Sequence, residues 1–319
     1  MQSDKKNLLE ISKAEANKWI RYGLKKNEED EVNNLLLVGN EDILMESFHK
    51  KLEFGTGGMR GLIGIGSNRI NSYTISLATQ GLCNYLNKVI DGNKSAVIAY
   101  DSRRFSKEFG NQTAKIFSAN NIKSYIFSDL RPTPELSFAV RELNCSCGIV
   151  ITASHNPKEY NGYKVYWNDG GQITSPHDNN IISEVEKITD FNQINFNFKS
   201  ELIEEIDNKI DKKYIEKIQD LSVYDNSRSK LKIIFSSLHG TGITQIPNAL
   251  NAFGFKNISS VKSQELPDPE FSTVTSPNPE DLDALDLGIK KLKKEKADIL
   301  LATDPDSDRV GVALYDKEK

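Results

Sequence analysis

The stretch SAVIAYDSRRFSKEFGNQTAKIFSANNIKSYIFSDLRPTPELSFAVRELNCSCGIVITA, residues 95–153, decides the fold class. Three short apolar runs, SAVIAY (95–100), SYIFS (124–128) and CGIVITA (147–153), have the length and residue types of strands. Between them, residues 106–120 and PELSFAVREL (134–143) read as helices. The alternation predicts an α/β fold with a sheet covered by helices. Sites in such folds gather at strand ends, where DSRR (101–104), LRPTP (130–134) and ASHNP (153–157) fall.

The pattern extends in both directions. Residues 1–53 predict a helical extension packed on the first domain, with Leu35, Leu36, Leu37, Val38, Leu44 and Phe48 as burial positions and KKNEED (25–30) as a solvated linker or helix end. GTGGMRGLIGIG (55–66) holds six glycines in twelve residues and predicts loop or tight turn. Ile75, Ala78, Leu82, Tyr85, Leu86 and Val89 then fall at helical spacing. FNQINFNFKSELIEEIDN (191–208) is polar and irregular, which places a boundary near Asp207. Beyond it come a helix over 212–221, a strand KIIFSS (232–237), a helix through 243–253, a Pro-rich connection (267–279), a charged helix (280–296) and ADILLATDPDSDRVGVAL (297–314). The expectation is two successive α/β domains, 54–207 and 208–319, each a mixed sheet covered by helices. Their element order is alike, but no sequence repeat relates them.

Composition narrows the function classes. Charged residues make up 27% of the 319 residues and hydrophobic ones 38%, as in a soluble globular protein. No apolar run approaches the roughly 20 residues that cross a bilayer. The first residues, MQSDKKNLLEISKAEANKW, lack the apolar core of a signal peptide. Cys83, Cys145 and Cys147 are odd in number and form no CxxC pair, so neither a disulfide framework nor a zinc unit is expected. A reduced cytoplasmic protein fits these features. The net charge of −4 argues against a nucleic-acid partner and a basic face, yet leaves room for a small anionic substrate in a locally cationic cleft.

Two stretches carry chemistry. In ATDPDSDRVGVA (302–313), Asp304, Asp306 and Asp308 alternate along a loop between two apolar strands. Carboxylates so close repel one another unless a cation lies between them, and hard oxygen donors favour Mg²⁺, Mn²⁺ or Ca²⁺ over zinc. An EF-hand loop would need Gly and Glu where Arg309 and Tyr315 stand. In GIVITASHNPKEYNGYKVYW (148–167), Ser154 and His155 sit at the mouth of a strand, with Lys164 ten residues after the serine. The stretch reads either as an ordinary turn broken by Asn156-Pro157 or as a serine that carries a phosphoryl group, with Lys164 as general acid/base. The lysine suits that role if a desolvated, cation-rich pocket lets it lose its proton near neutral pH. A hydrolase triad through His177 or His239 lacks the GxSxG signature. GTGGMRG (55–61) could form an anion nest around Arg60, whereas GxGxxG and GK[ST] fingerprints are absent. HGTG (239–242) reads as a structural turn, and Arg103, Arg104 and Arg131, taken singly, as surface arginines.

Together these pieces resemble the α-D-phosphohexomutases, the family of phosphoglucomutase and phosphomannomutase. TASHNP (152–157) is similar to that family's phosphoserine loop, NGYK (161–164) to its lysine segment, DPDSDR (304–309) to its metal loop and FGTGGMRG (54–61) to its N-terminal active-site turn. PHD (176–178), RPTPE (131–135) and the helical N-terminus resemble the larger phosphoglucomutase/phosphopentomutase branch. The resemblance implies Ser154 as the phosphorylated residue and Asp304, Asp306 and Asp308, with the Ser154 phosphate, as ligands of one Mg²⁺. It implies Lys164 as general acid/base, with Arg60, His155 and Arg309 steadying the phosphoryl group, Arg60 and Arg309 on the substrate side. The implied reaction moves a phosphoryl group between the 1-hydroxyl and a distal hydroxyl of a sugar phosphate. It passes through a sugar 1,6-bisphosphate, which also serves as activator.

The family's GExSG-type sugar loop and its later phosphate-binding loop have no counterpart here, so the chain is expected to be the N-terminal half of a four-domain architecture. Glucose, mannose and pentose phosphates stay open as substrates. A non-catalytic phosphosugar-binding protein is the alternative from another class, and a metal-dependent serine hydrolase a third. Only a small-molecule partner is expected, with no membrane and no macromolecular partner.

Overall fold

The computed structural model describes residues 2–223 and 230–316. Three helices open the chain: α1 (Gln2–Arg21), α2 (Lys26–Leu35) and α3 (Glu41–Phe48). They close around Trp19, Val32, Leu44 and Phe48, with Leu35 and Leu36 partly buried against that cluster. Leu37 and Val38 are exposed, contrary to expectation, because α2 has ended and the chain turns through Gly39 at positive φ. Tyr73 and Phe191 stack on each other and both pack on Trp19, which ties the extension to the rest of the first unit.

The glycine-rich segment corrects the loop expectation. It forms a hairpin of β1 (Phe54–Gly55) and β2 (Gly58–Leu62). A Cβ at Gly58 would lie 1.9 Å from the Tyr163 carbonyl oxygen, and one at Gly162 would lie 2.6 Å from that of Thr152. The glycines therefore permit a tight strand pairing rather than preventing one.

After α4 (Ser72–Val89) the sequence alternates as predicted: β3 (Ser95–Tyr100), α5 (Ser106–Ala119), β4 (Lys123–Ile126), α6 (Thr133–Glu142), β5 (Cys147–Ile151). Then come β6 (Tyr160–Trp167), α7 (His177–Glu186) and β7 (Ile203–Glu205). The seven strands lie in the order β1-β2-β6-β5-β3-β4-β7. β5, β3, β4 and β7 are mutually parallel, whereas β6 and the hairpin run antiparallel to their neighbours. Every residue of β5 is buried because helices cover both faces, which is why it reads as an unbroken apolar run. One face packs Ile98, Ile149 and Ile151 against α4, α5 and α7; the other packs Val97, Ala99 and Val150 against α6. β7 corrects the irregular reading of 191–208. It has two exposed glutamates and one half-buried isoleucine, the pattern of an edge strand without an apolar signature.

The second unit has α8 (Asn208–Gln219), β8 (Lys232–Ser236), α9 (Gly242–Ala252), β9 (Asn257–Ser260), α10 (Leu282–Glu295), β10 (Ile299–Thr303) and β11 (Val310–Leu314). Its sheet order is β11-β10-β8-β9, parallel except for β11. The two units repeat one device. In each, a central parallel strand turns back as an antiparallel neighbour, through residues 152–159 after β5 and 304–309 after β10. Both chemistry-bearing stretches are these turns. Among the described residues no helix is long and apolar enough to cross a membrane, and the three cysteines are buried and free.

Candidate active site

Ser154 stands at the end of β5 in the left-handed backbone region, φ 53°, a conformation costing a non-glycine residue on the order of 1–3 kcal/mol. Its surroundings impose it. The Ser154 N–H donates to Thr152 Oγ1 (2.8 Å), and Thr152 Oγ1 donates to Asp101 Oδ2 (2.7 Å) at the end of β3. Arg103 then grips the loop from beneath. Its Nη2 donates to the carbonyls of Ser154 and Asn156 and its Nη1 to those of Pro157 and Tyr160. The arginine read as a surface residue is 3% exposed. Arg104 is exposed and pairs with Glu270.

The second turn faces the first. Ser154 Oγ donates to Asp304 Oδ2 at 2.7 Å and lies 3.3 Å from His155 Nδ1. Lys164, on β6, donates to Asp306 Oδ2 (2.7 Å) and Asp308 Oδ2 (2.9 Å). The register sets Gly58 opposite Lys164 and Arg60 opposite Gly162, so the hairpin brings Arg60 to the same mouth. There Arg60 Nη1 donates to Asn156 Oδ1 (2.9 Å). Arg309 uses its backbone N–H on Asp304 Oδ1 (3.1 Å), while its guanidinium turns to Glu280. Below the carboxylates, a Cβ on Gly240 would lie 2.3 Å from Pro305 Cα, and the Thr241 N–H donates to the Pro305 carbonyl. HGTG is thus the floor of this turn. His177 bonds Tyr85 and His239 bonds Thr273, so the serine's partners are Asp304 and His155, not either of those histidines.

Electrostatics follow from burial. Burial, then the charges of Asp306 and Asp308, push the Asp304 carboxyl well up. Burial acts the same way on Asp306, but Lys164 more than offsets it and holds that carboxyl low. For Lys164, burial favours the neutral amine, yet Asp306 and Asp308 together outweigh it and raise its pKa. The pocket is carboxylate-rich where the sequence reading expected a cation-rich one, and these carboxylates favour the charged amine. Burial, with Arg309 and Arg60, lowers the His155 pKa and favours a neutral ring.

The carboxylates suit a cation. One oxygen from each of Asp304, Asp306 and Asp308 lies within 4.8 Å of the others, and Asp306 Oδ1 is buried without a hydrogen-bond partner. Hard oxygen donors around a bare buried oxygen suit a hard divalent cation.

The family profile described as phosphoglucomutase/phosphomannomutase, alpha/beta/alpha domain I, matches residues 51–192, and the domain II profile matches 212–317. The chain belongs to the phosphoglucomutase/phosphomannomutase family. It is 42% identical over 275 residues to a phosphoglucomutase of Staphylococcus haemolyticus (strain JCSC1435), covering 85% of this chain and 50% of that protein. A Staphylococcus aureus (strain MRSA252) phosphoglucomutase is 40% identical over 274 residues, covering 85% and 49%. The chain thus spans about half the length of these curated relatives. A phosphoglucomutase/phosphomannomutase family protein from Burkholderia thailandensis shares the fold, with TM-score 0.67, 22% identity and coverage of 82% of this chain and 54% of that one.

Sequence reasoning placed DSRR and LRPTP at strand ends but gave no role to Asp101, Arg103 or Thr133, and it missed Ser276. Asp101 and Arg103 hold the serine turn, Thr133 bonds Asp306, and Ser276 Oγ donates to the His155 carbonyl (2.9 Å). Position alone had marked Asp101 and Arg103, which follow a buried strand; their bonds to Thr152 and to the serine turn come from distant sequence and gave no local signal.

Proposed function

We propose that this chain carries the phosphoserine and metal-binding part of a phosphoglucomutase-like enzyme acting on a hexose phosphate in the cytoplasm. One observation carries the reading: Ser154 Oγ, in the turn after β5, bonds Asp304, and Lys164, on the neighbouring strand β6, bonds Asp306 and Asp308 in the turn of the other sheet. The same reading divides the chain into an extension (1–53), a serine-bearing unit (54–207) and a metal-loop unit (208–319).

Asp304, Asp306 and Asp308, with the Ser154 oxygen, would hold Mg²⁺, which supplies Lewis-acid neutralisation of phosphoryl charge. In loading from a sugar 1,6-bisphosphate, a bond forms from Ser154 Oγ to phosphorus as the sugar oxygen–phosphorus bond breaks. The hydroxyl proton leaves along the bond already made to Asp304. Lys164, beside those carboxylates, is the general acid/base and in this direction protonates the departing sugar oxygen. Arg60, His155 and Arg309 would steady the transferred group, Arg60 and Arg309 on the substrate side, Arg309 by leaving the exposed ion pair it makes with Glu280. Returning the phosphoryl group to the sugar's other hydroxyl reverses these steps. Catalysis of this kind rests on positioning and charge compensation.

The test is intact mass after incubation with glucose 1,6-bisphosphate and Mg²⁺. One added phosphoryl group in the wild-type chain and none in Ser154→Ala is expected. Equal uptake by both chains, or none by either, would overturn the assignment of Ser154 as the phosphoryl carrier in this chain.

A further inference from the structure

Besides Ser154 and Lys164, Thr133 also reaches from the first unit to the carboxylate turn, and it makes two bonds there. Its N–H donates to the Asp306 carbonyl and its Oγ1 donates to Asp306 Oδ2, each at 2.8 Å. Thr133 is 5% exposed and Asp306 is fully buried. Thr133 opens α6, between Pro132 and Pro134, where a helix leaves its first N–H groups without internal partners. The orphan donor is satisfied across the boundary between the two sheets.

The geometry divides the two oxygens of Asp306. Oδ2 accepts from Thr133 Oγ1 and from Lys164 Nζ, whereas Oδ1 is buried and bare. Two bonds on one oxygen and a third on the same residue's carbonyl fix the carboxylate's rotation and leave Oδ1 as its open donor atom. The two partners differ in kind. Lys164 brings a positive charge that opposes a cation, while Thr133 brings none. The start of α6 is itself pinned to the second unit: Arg131 Nε and Nη2 donate to Asp211 Oδ1 and Oδ2 at 2.9 Å each, and Gln245 Nε2 donates to Glu135 Oε1 at 3.3 Å.

We propose that Thr133 is a positioning residue for the cation site, acting through Asp306 to keep Oδ1 turned toward a divalent ion. It thereby ties cation affinity to the register between α6 and the β10–β11 turn. The inference rests on the reading of Asp304, Asp306 and Asp308 as a cation site.

The experiment measures Mn²⁺ affinity of the full chain, by electron paramagnetic resonance of the free ion, in the absence of any sugar phosphate. Thr133→Val keeps the shape and the backbone N–H but removes the hydroxyl, and Thr133→Ser keeps the hydroxyl. Thr133→Val is expected to bind Mn²⁺ about 10-fold more weakly, the low end of what losing a partner of a metal ligand brings. Thr133→Ser should bind and melt like the wild type, and Thr133→Val should still unfold cooperatively in chelator, at a somewhat lower temperature because a buried carboxylate has lost one donor, so that its affinity is read on folded chain. Should the valine variant not fold, Thr133→Ala removes the same hydroxyl with less bulk. Wild-type affinity in the hydroxyl-less variant overturns the proposal, as does an equal loss in Thr133→Ser, which would assign the effect to packing. A wild-type chain that takes up no Mn²⁺ refutes the cation reading itself, a separate result that removes this inference with it.

Discussion

Arg103→Met probes how the serine turn is held. The guanidinium is buried, lies 3.2 Å from Asp101 Oδ2 and donates to four carbonyls of one loop at 2.5–3.0 Å. Methionine fills much of the same space without charge or donors. Removing one partner of a buried ion pair costs about 3–5 kcal/mol, because the other charge is left uncompensated. Each buried carbonyl left unpaired adds about 1–3 kcal/mol unless water reaches it. Asn156, Pro157 and Tyr160 lie where the turn meets solvent whereas Ser154 is buried, so we expect rehydration of most carbonyls but not that of Ser154, and a net loss of about 4 kcal/mol. Both tryptophans, Trp19 and Trp167, belong to the extension and the first sheet, so fluorescence in urea reports the unit that contains Arg103. The double variant Asp101→Asn/Arg103→Met should recover part of the loss, since no buried charge remains. Phosphorylation of Ser154 should slow in the single variant as the turn relaxes. A loss below about 1 kcal/mol with unchanged Ser154 phosphorylation would show that the turn holds itself and that the clamp is incidental.

Two further substitutions test the strand pairing and a buried carboxyl. Gly58→Ala puts a Cβ against the Tyr163 carbonyl at φ 138°, so β2 must part from β6; a loss above about 2 kcal/mol in the urea transition is expected, and a silent substitution would refute the close pairing. Glu135, buried near Arg131 and Asp211 and bonded by Gln245, is pushed up from its ordinary 4.5 to about 9, by burial first and by Asp211 next. The folded chain therefore keeps a proton that the unfolded chain has lost between those values, and this contribution to stability fades as pH rises through that window. The urea midpoint should fall more steeply between about pH 6 and about pH 8.5 in the wild type than in Glu135→Gln, and parallel curves would contradict the assignment.

Much of this was legible in the sequence for a physical reason. β3 and β5 are covered on both faces and so read as apolar runs, and the alternation of Asp304, Asp306 and Asp308 marks a turn that must manage repulsion. β6 was not legible as a strand. Asn161-Gly162 looks like a turn, yet Asn161 is fully buried with its amide donating to the Arg104 carbonyl and Ser106 Oγ. Arg103 and Arg104 are neighbours of identical type, and only three-dimensional context separates the buried clamp from the surface ion pair. Lys164 is a similar case. Its partners come from more than 140 residues downstream, and they set its protonation.

The N–H of Thr133 has a further use. It is one amide whose bond spans the two sheets, so it exchanges with solvent only when β10–β11 draws away from α6 or when the whole chain unfolds. The amides of β3, enclosed within a single sheet, need no such separation to keep their protection. The ratio of the two exchange rates is thus a clock for the opening between the halves of the site, read at a single atom and without a label.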